Sequence, residues 1–142
     1  MTELTLDAAN RVIAGTLERG RALGLKPLTV AVVDAAGSLI ALQRSDTSPA
    51  IRPQVAQAKA SGAVAMGVSS RKLGEMAVDR PHFIAGVTPF APHGLVPVAG
   101  GVIVIGQGGA VIGGVGVSGD TSDNDEACAL AGIAAAGLTA QA

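Results

Sequence analysis

Four β-rich segments, arranged as two hairpins, are the feature that most constrains the fold of this chain. In each hairpin, two short apolar runs are separated only by a glycine-containing turn. The segments are Leu28 to Val33 and Ser38 to Arg44 around Ala35-Ala36-Gly37, then Val98 to Ile105 and Ala110 to Val117 around Gly106-Gln107-Gly108-Gly109. Parallel strands would need long crossovers between the paired runs. The hairpins therefore predict an antiparallel sheet.

Helical periodicity predicts four helices beside these hairpins. In the first, Leu6, Ala9, Ile13 and Leu17 recur at three- and four-residue spacing. The predicted helices run from Thr5 to Leu23, from Ile51 to about Met66, from Ser69 or Ser70 to Val78, and from a capping Ser122 to the C-terminus. The elements predict an α+β fold, an antiparallel sheet flanked by helices in the order α-ββ-αα-loop-ββ-α, built as one domain over residues 1–142.

A long irregular segment separates the third helix from the second hairpin. Residues 79–97 show no periodicity, and Pro81, Pro89, Pro92 and Pro97 predict that no helix runs through them. Loops of this length in compact domains are often functional. We expect the segment to fold over the sheet, to close a cavity with the first hairpin and second helix, and to offer a further edge strand.

The composition argues against several classes of partner. The net charge is −1, and two phenylalanines without tryptophan or tyrosine offer little surface for stacking bases, so we expect no nucleic-acid partner. No apolar window is long enough for a bilayer and the start lacks a signal-peptide pattern, which predicts no membrane partner and a cytoplasmic location. Only 15% of residues are charged while 49% are hydrophobic, which predicts a homo-oligomer, a dimer or larger.

Three residues are candidates for catalysis. His93 follows Pro92 in the long loop and is suited to acid–base chemistry or to ligating haem iron, although a solvent-facing histidine is the plainer interpretation. Lys59 lies at the edge of the apolar stripe of the second helix, where it either extends to solvent or binds a carboxylate or acts as a base. Asp120 follows the last predicted strand and is a candidate acid, base or ligand contact.

Ligand contacts are predicted at the ends of strands. Arg44 and Asp46 follow the second strand, where the guanidinium suits a carboxylate, or where the two side chains pair with each other. Gly100 and Gly101 allow backbone N–H groups to approach an anion, although turn geometry also explains such glycines. With Lys59 and His93 they form the predicted ligand set. No spacing indicates a resident metal or a nucleotide.

Several short motifs resemble the GlcG/HbpS haem-binding-like family, and they are also similar to the PduO C-terminal domain. The motifs, in chain order, are Val32-Val33-Asp34-Ala35-Ala36-Gly37, Arg44-Ser45-Asp46, Gln57-Ala58-Lys59-Ala60, Pro97-Val98-Ala99-Gly100-Gly101, Gly113-Gly114-Val115-Gly116-Val117-Ser118-Gly119 and Asp123-Asn124-Asp125-Glu126. The resemblance implies a profilin-like or PAS-like sheet, oligomers and a small-molecule pocket. It implies haem or corrinoid as the ligand in some relatives and catabolic roles in others. Haem-binding relatives use a histidine near the N-terminal helix, and this chain has none before His82.

Two functions follow from these observations. The first is a small-molecule-binding protein, associated with catabolism, whose ligand is haem, another tetrapyrrole or a small catabolite; haem is then a candidate cofactor, with His93 as its iron ligand. The second is a cofactor-independent isomerase, tautomerase or hydrolase for a carboxylate-bearing intermediate. There His93 moves protons, Arg44 or Lys59 holds the acid, and amides near Gly100 stabilise an enolate. The few aromatic residues argue against a dedicated haem carrier, and the sequence leaves the choice open.

Overall fold

The computed structural model describes residues 2–141. Its helices are α1 (Leu6–Ala22), α2 (Arg52–Met66), α3 (Ser70–Asp79), α4 (Pro81–Val87) and α5 (Ser122–Ala135). Its strands are β1 (Thr29–Asp34), β2 (Leu39–Arg44), β3 (Gly101–Ile105), β4 (Val111–Ser118) and β5 (Thr139–Ala140). They form one antiparallel sheet in the order β2-β1-β4-β3-β5. The predicted α+β class and both hairpins are confirmed.

The register of the sheet brings the ends of three strands together. Thr29, at the start of β1, lies opposite Arg44 at the end of β2 and opposite Ser118 at the end of β4. The segments that follow Arg44 and Ser118 therefore leave the sheet at the same edge, beside the connection from α1 into β1. This edge carries the candidate site.

One face of the sheet packs against α1 and α5. Valines alternate along the central strands, so that Val30, Val32, Val115 and Val117 point to this face. Facing them are small and branched side chains of the two helices, namely Ala8, Ala9, Val12, Ile13, Cys128, Ala129 and Ile133. Each fully buried valine or isoleucine contributes about 1.5–3 kcal/mol. This layer is the main core.

The opposite face is shaped by glycine, which lets α2 lie very close to the strands. A Cβ on Gly114 would be 2.9 Å from Val64 Cγ2, and one on Gly116 would be 2.8 Å from the Ala60 nitrogen. A Cβ on Gly101 would be 2.7 Å from the Lys59 carbonyl carbon. The glycines of the second hairpin therefore mark a close backbone approach.

The C-terminal helix differs from the prediction at both ends. Thr121, rather than the predicted Ser122, is the N-cap, and its Oγ1 accepts a hydrogen bond from the Asn124 amide at 3.2 Å. The helix ends at Ala135 instead of continuing to the C-terminus, and Gly137 adopts a φ of 74° in the turn that follows. That turn returns the chain to the sheet as β5, where Ala140 pairs with Val104.

The proline-rich segment also differs, because it contains the helix α4. Pro81 occupies the first turn of α4, where its missing N–H has no intrahelical partner to lose. Ile84 of α4 is buried with Leu73 and Leu95 in a second, small apolar cluster. The expectation that prolines exclude a helix was wrong for residues 81–87. The further edge strand is β5, from the C-terminal end rather than from this segment.

Candidate functional site

A groove of about 480 Å³ lies at the sheet edge where β1 begins and β2 ends. We call it the α1–β2 groove. Its polar lining includes Arg21, Lys26, Arg44 and Asp46, and its apolar lining includes Leu17, Leu25, Leu28 and Pro27. The predicted ligand contacts Arg44 and Asp46 therefore face one cavity.

The α1–β2 groove carries more positive than negative side chains, although the chain as a whole has a net charge of −1. Arg44 Nη1 donates to the Ser48 carbonyl oxygen at 2.8 Å, which holds its guanidinium in place. Arg21 Nη2 is 3.0 Å from Glu18 Oε2, but this pair is exposed and contributes little energy. The arrangement favours an anion with an apolar body.

A second cavity of about 440 Å³ lies on the other side of the Lys26-Pro27 segment. We call it the β4-loop pocket. Thr47, Pro49 and Arg52 form one wall, and Gly119, Asp120 and Thr121 form another, so that Lys26 and Pro27 border both cavities. Arg44, Asp46 and Asp120, predicted from distant parts of the sequence, thus lie at one edge of the sheet.

Asp120 organises the loop after β4. Its carboxylate accepts hydrogen bonds from Asn124 Nδ2 at 2.7 Å, from the Thr121 amide at 2.9 Å and from the Lys26 amide at 3.1 Å. These bonds, that from Asn124 above all, lower the pKa of Asp120. Asp120 is therefore an ionised acceptor that joins the loop to the start of β1, and its predicted role in catalysis stays a prediction.

Lys59 is buried between α2, β4 and α5 and lines neither cavity. Its Nζ donates to the Val117 carbonyl oxygen at 2.9 Å and to Asp125 Oδ2 at 3.1 Å. Asp125 Oδ1 accepts from the Asp120 amide at 3.0 Å. Burial lowers the pKa of Lys59 and raises that of Asp125. The pair connects the core to the loop around the β4-loop pocket.

Sequence reasoning missed the pairing of Asp125 with Lys59. Asp125 is 1% exposed, although it lies in the first turn of a helix that begins at the surface. The available signal was Lys59, the one charged residue between Pro53 and Met66 in a helix rich in alanine, because a buried charge requires an opposite partner.

Gly100 and Gly101 are buried against Lys59. A Cβ on Gly100 would be 2.7 Å from Lys59 Nζ, and the φ of Gly100 is 127°, a conformation that favours glycine. The Gly101 amide donates to Ser70 Oγ at 2.6 Å, so it is engaged within the protein. Both glycines make room for the lysine and for α2.

His93 is exposed and stands apart from the other candidates. The segment that carries it packs against α2, where a Cβ on Gly62 would be 3.2 Å from the Gly94 oxygen and 3.1 Å from the Leu95 Cα. Helix α2 therefore lies between this segment and the sheet. The expectation that the segment covers the sheet was wrong, and the chemical roles of His93 stay predictions.

The family of the chain follows from its sequence over nearly its whole length. A family model described as haem degrading protein HbpS-like matches residues 4–134. The chain belongs to the HbpS-like family. A search of curated proteins gave no match.

Solved structures agree with the HbpS-like assignment. The crystal structure of a PduOC:heme complex is 26% identical, covers 99% of each chain and has a TM-score of 0.86. The crystal structure of HbpS is 32% identical, covers 94% of this chain and 90% of that one, and has a TM-score of 0.80. The Klebsiella pneumoniae protein ORFY, at 24% identity, 94% and 90% coverage and a TM-score of 0.83, shares the fold. The predicted GlcG/HbpS and PduO resemblance is confirmed.

The α1–β2 groove of this HbpS-like chain fits the carboxylates of haem but not its iron. Haem iron is held in proteins by His, Cys, Met or Tyr, and none of these lines the groove. His82 and His93 are exposed, while Cys128 is buried in the core, where desolvation raises the pKa of its thiol. Arg21, Lys26 and Arg44 are suited to propionates.

Residues 2–141 contain neither a cluster of candidate metal ligands nor a helix that could span a membrane. No group of three or more His, Cys, Asp or Glu side chains in this range is arranged to hold a metal ion. No helix in the same range combines the length and the hydropathy needed to cross a membrane.

Proposed function

We propose that this HbpS-like protein binds a small organic anion in the α1–β2 groove, and that porphyrin carboxylates, as in haem, belong to the class it accepts. The observation that carries the proposal is the placement of Arg21, Lys26 and Arg44 around a groove lined by leucine. The family description and the haem complex of a relative support a tetrapyrrole as the first ligand to test.

The charged and the apolar residues of the groove contribute to binding in different ways. Arg44 offers a planar pair of donors to a carboxylate, and its bond to the Ser48 carbonyl reduces the freedom lost on binding. Lys26 adds a further positive charge to the lining. Leu17, Leu25 and Leu28 contact the apolar body of the ligand. The negative charge of Asp46 disfavours a ligand carboxylate at its end of the groove. The ligand is therefore expected to bind in one orientation.

Arg44→Gln is expected to weaken binding of both haemin and metal-free protoporphyrin IX about tenfold, the cost of losing one charge-assisted contact. Because no iron ligand lines the groove, the two porphyrins should respond alike. Binding is measured by absorbance titration at fixed ionic strength. Arg11→Gln is the matched control, since it removes the same charge from an exposed pair with Asp7 on α1. Equal affinity in Arg44→Gln and the unmodified protein would refute this site.

His93 provides a separate prediction. If His93 ligates haem iron, His93→Ala should change the Soret band of bound haemin but leave that of bound protoporphyrin, which has no iron, unchanged. His82→Ala is the matched control, because His82 is also exposed and also follows a proline. A Soret spectrum that is the same in His93→Ala as in the unmodified protein would remove this role.

The structure favours binding over catalysis by the predicted residues, because these residues do not meet. His93 is on the surface, Lys59 is inside the protein and Asp120 borders the β4-loop pocket. The link to catabolism, the cytoplasmic location and the homo-oligomeric state stay predictions from the sequence and the family resemblance.

A further inference from the structure

Arg52, at the first residue of α2, has a guanidinium that the protein satisfies only in part. Its Nη1 donates to Ser118 Oγ at 3.0 Å. Its Nε is buried and has no hydrogen-bond partner among residues 2–141. Burying an N–H without an acceptor costs about 1–3 kcal/mol, and more for a charged group. The guanidinium therefore has donor capacity that hydrogen bonds within residues 2–141 leave unused.

The neighbouring carboxylates do not provide that acceptor. Asp125 is engaged by Lys59 and by the Asp120 amide. Asp120 is engaged by Asn124 and by the amides of Thr121 and Lys26. Within the described part of the chain, neither carboxylate forms an ion pair with Arg52.

The charges around Arg52 leave a local excess of cations. Arg52 is close enough to Lys59 for its charge to contribute to the lowered pKa of that amine. Lys26, whose amide donates to Asp120, adds a further positive charge to the lining of the β4-loop pocket. Three cations thus stand beside two carboxylates, so a bound anion would balance the charge.

The lining of the β4-loop pocket suits a compact oxyanion. Thr47 and Thr121 line it beside Arg52 and Lys26, and hydroxyl groups donate to oxyanions. The N-terminal ends of α2 and α5 also border it, and α2 has no side-chain cap. Helix N-termini add a favourable, though smaller, field for an anion. Asp120, on the remaining wall, limits the site to one anionic group.

We propose that the β4-loop pocket is a second binding site, which takes the phosphate or carboxylate group of a small metabolite between Arg52 and Lys26. It is separated from the α1–β2 groove by the Lys26-Pro27 segment and does not depend on porphyrin binding. Arg52 makes the direct contact through the part of its guanidinium that lines the pocket, and Lys26, in the same lining, adds a second positive charge.

Amide chemical shifts of the full chain during titration with inorganic phosphate, and separately with acetate, test the proposal against sodium chloride at equal ionic strength. We expect saturable shifts at Gly119, Thr121 and Ser122 with at least one of the two anions. Saturation by phosphate alone assigns a phosphoryl ligand, and saturation by acetate as well assigns a carboxylate. Saturation by neither anion would overturn the site.

Variants separate charge from structure. Arg52→Gln should weaken binding of the anion about tenfold, and Arg52→Lys should recover part of the lost affinity. Ser118→Ala removes the same internal hydrogen bond but keeps the guanidinium, so it should retain binding. Equal losses in Ser118→Ala and Arg52→Gln would overturn the proposal, because the loss would then come from the altered loop.

Two further variants distinguish this site from the α1–β2 groove. Arg44→Gln should leave anion binding unchanged, and Arg52→Gln should leave porphyrin binding unchanged. Arg11→Gln controls for net charge in both assays. Loss of anion binding in Arg44→Gln to the extent seen in Arg52→Gln would overturn the second site in favour of one continuous cavity.

Discussion

Lys59→Met is expected to lower the free energy of unfolding by about 3–5 kcal/mol at neutral pH, the cost of breaking a buried ion pair from one side. Methionine fills nearly the same space, but it leaves Asp125 ionised and buried without its cation. The Val117 carbonyl also loses its donor. Urea denaturation followed by circular dichroism measures the change.

The loss in Lys59→Met should depend on pH. Burial already raises the pKa of Asp125, and removing the lysine, whose charge opposes that shift, raises it further. A carboxyl whose pKa is higher in the folded than in the unfolded state holds its proton more tightly when folded. Raising the pH from the unfolded-state pKa of Asp125 through its folded-state pKa therefore favours unfolding. Lys59→Met should be less destabilised at pH 5 than at pH 8.

The double variant Lys59→Met/Asp125→Leu is the control for this prediction. Removing both charges leaves no unpaired ion, and such replacements are often neutral or stabilising. We expect it to recover most of the stability lost in Lys59→Met and to lose the added pH dependence. A Lys59→Met protein as stable as the unmodified one at pH 8 would contradict the buried pair.

Gly116→Ala is expected to destabilise the protein by about 1–3 kcal/mol or more, the range for overpacking a filled core. The added Cβ would be 3.0 Å from the Ala56 carbonyl carbon and 2.8 Å from the Ala60 nitrogen, both of them backbone atoms of α2. Backbone atoms cannot move away by a change of rotamer, as a flexible side chain can. The whole helix would therefore have to move away from the sheet. The midpoint of chemical denaturation measures the effect.

Gly86→Ala is the matched control for Gly116→Ala. Gly86 lies in α4, and a Cβ there would have no atom within 4 Å. Alanine in a helix is favoured over glycine by about 0.5–1 kcal/mol. Gly86→Ala should therefore be neutral or slightly stabilising. Similar stability for the two variants would show that α2 lies farther from β4 than this structure places it.

The sequence was informative where the determinants are local. Alternating apolar residues around short glycine turns predicted both hairpins, and three- and four-residue spacing predicted α1. Thr5 and Ser69, both named as candidate caps or starts, accept hydrogen bonds from the amides of Ala8 and Lys72. Prolines were misleading at Pro81, because the same residue that ends one helix can begin the next.

Among the candidate site residues, those at strand ends lie at one edge of the sheet, whereas Lys59, within a helix, lies in a buried ion pair. Arg44, Asp46 and Asp120 lie at one edge because Arg44 ends β2 while Asp46 and Asp120 each come two residues after a strand, and strand order decides which strand ends are neighbours. Arg52 was not singled out, since at the start of a helix it resembles any surface arginine. Its significance comes from an unpartnered Nε and from Lys26, which is distant in sequence.

By itself, the sequence determined the α+β class, the hairpins, most helix boundaries and membership of the HbpS-like family, because these depend on patterns within a few residues or on motifs in a conserved order. Only the tertiary structure decided that Lys59 pairs with Asp125, that Gly116 faces the backbone of α2, and that Lys26 borders two cavities. Such facts depend on distances between segments far apart in the chain. Packing of the two helical layers on the sheet sets those distances.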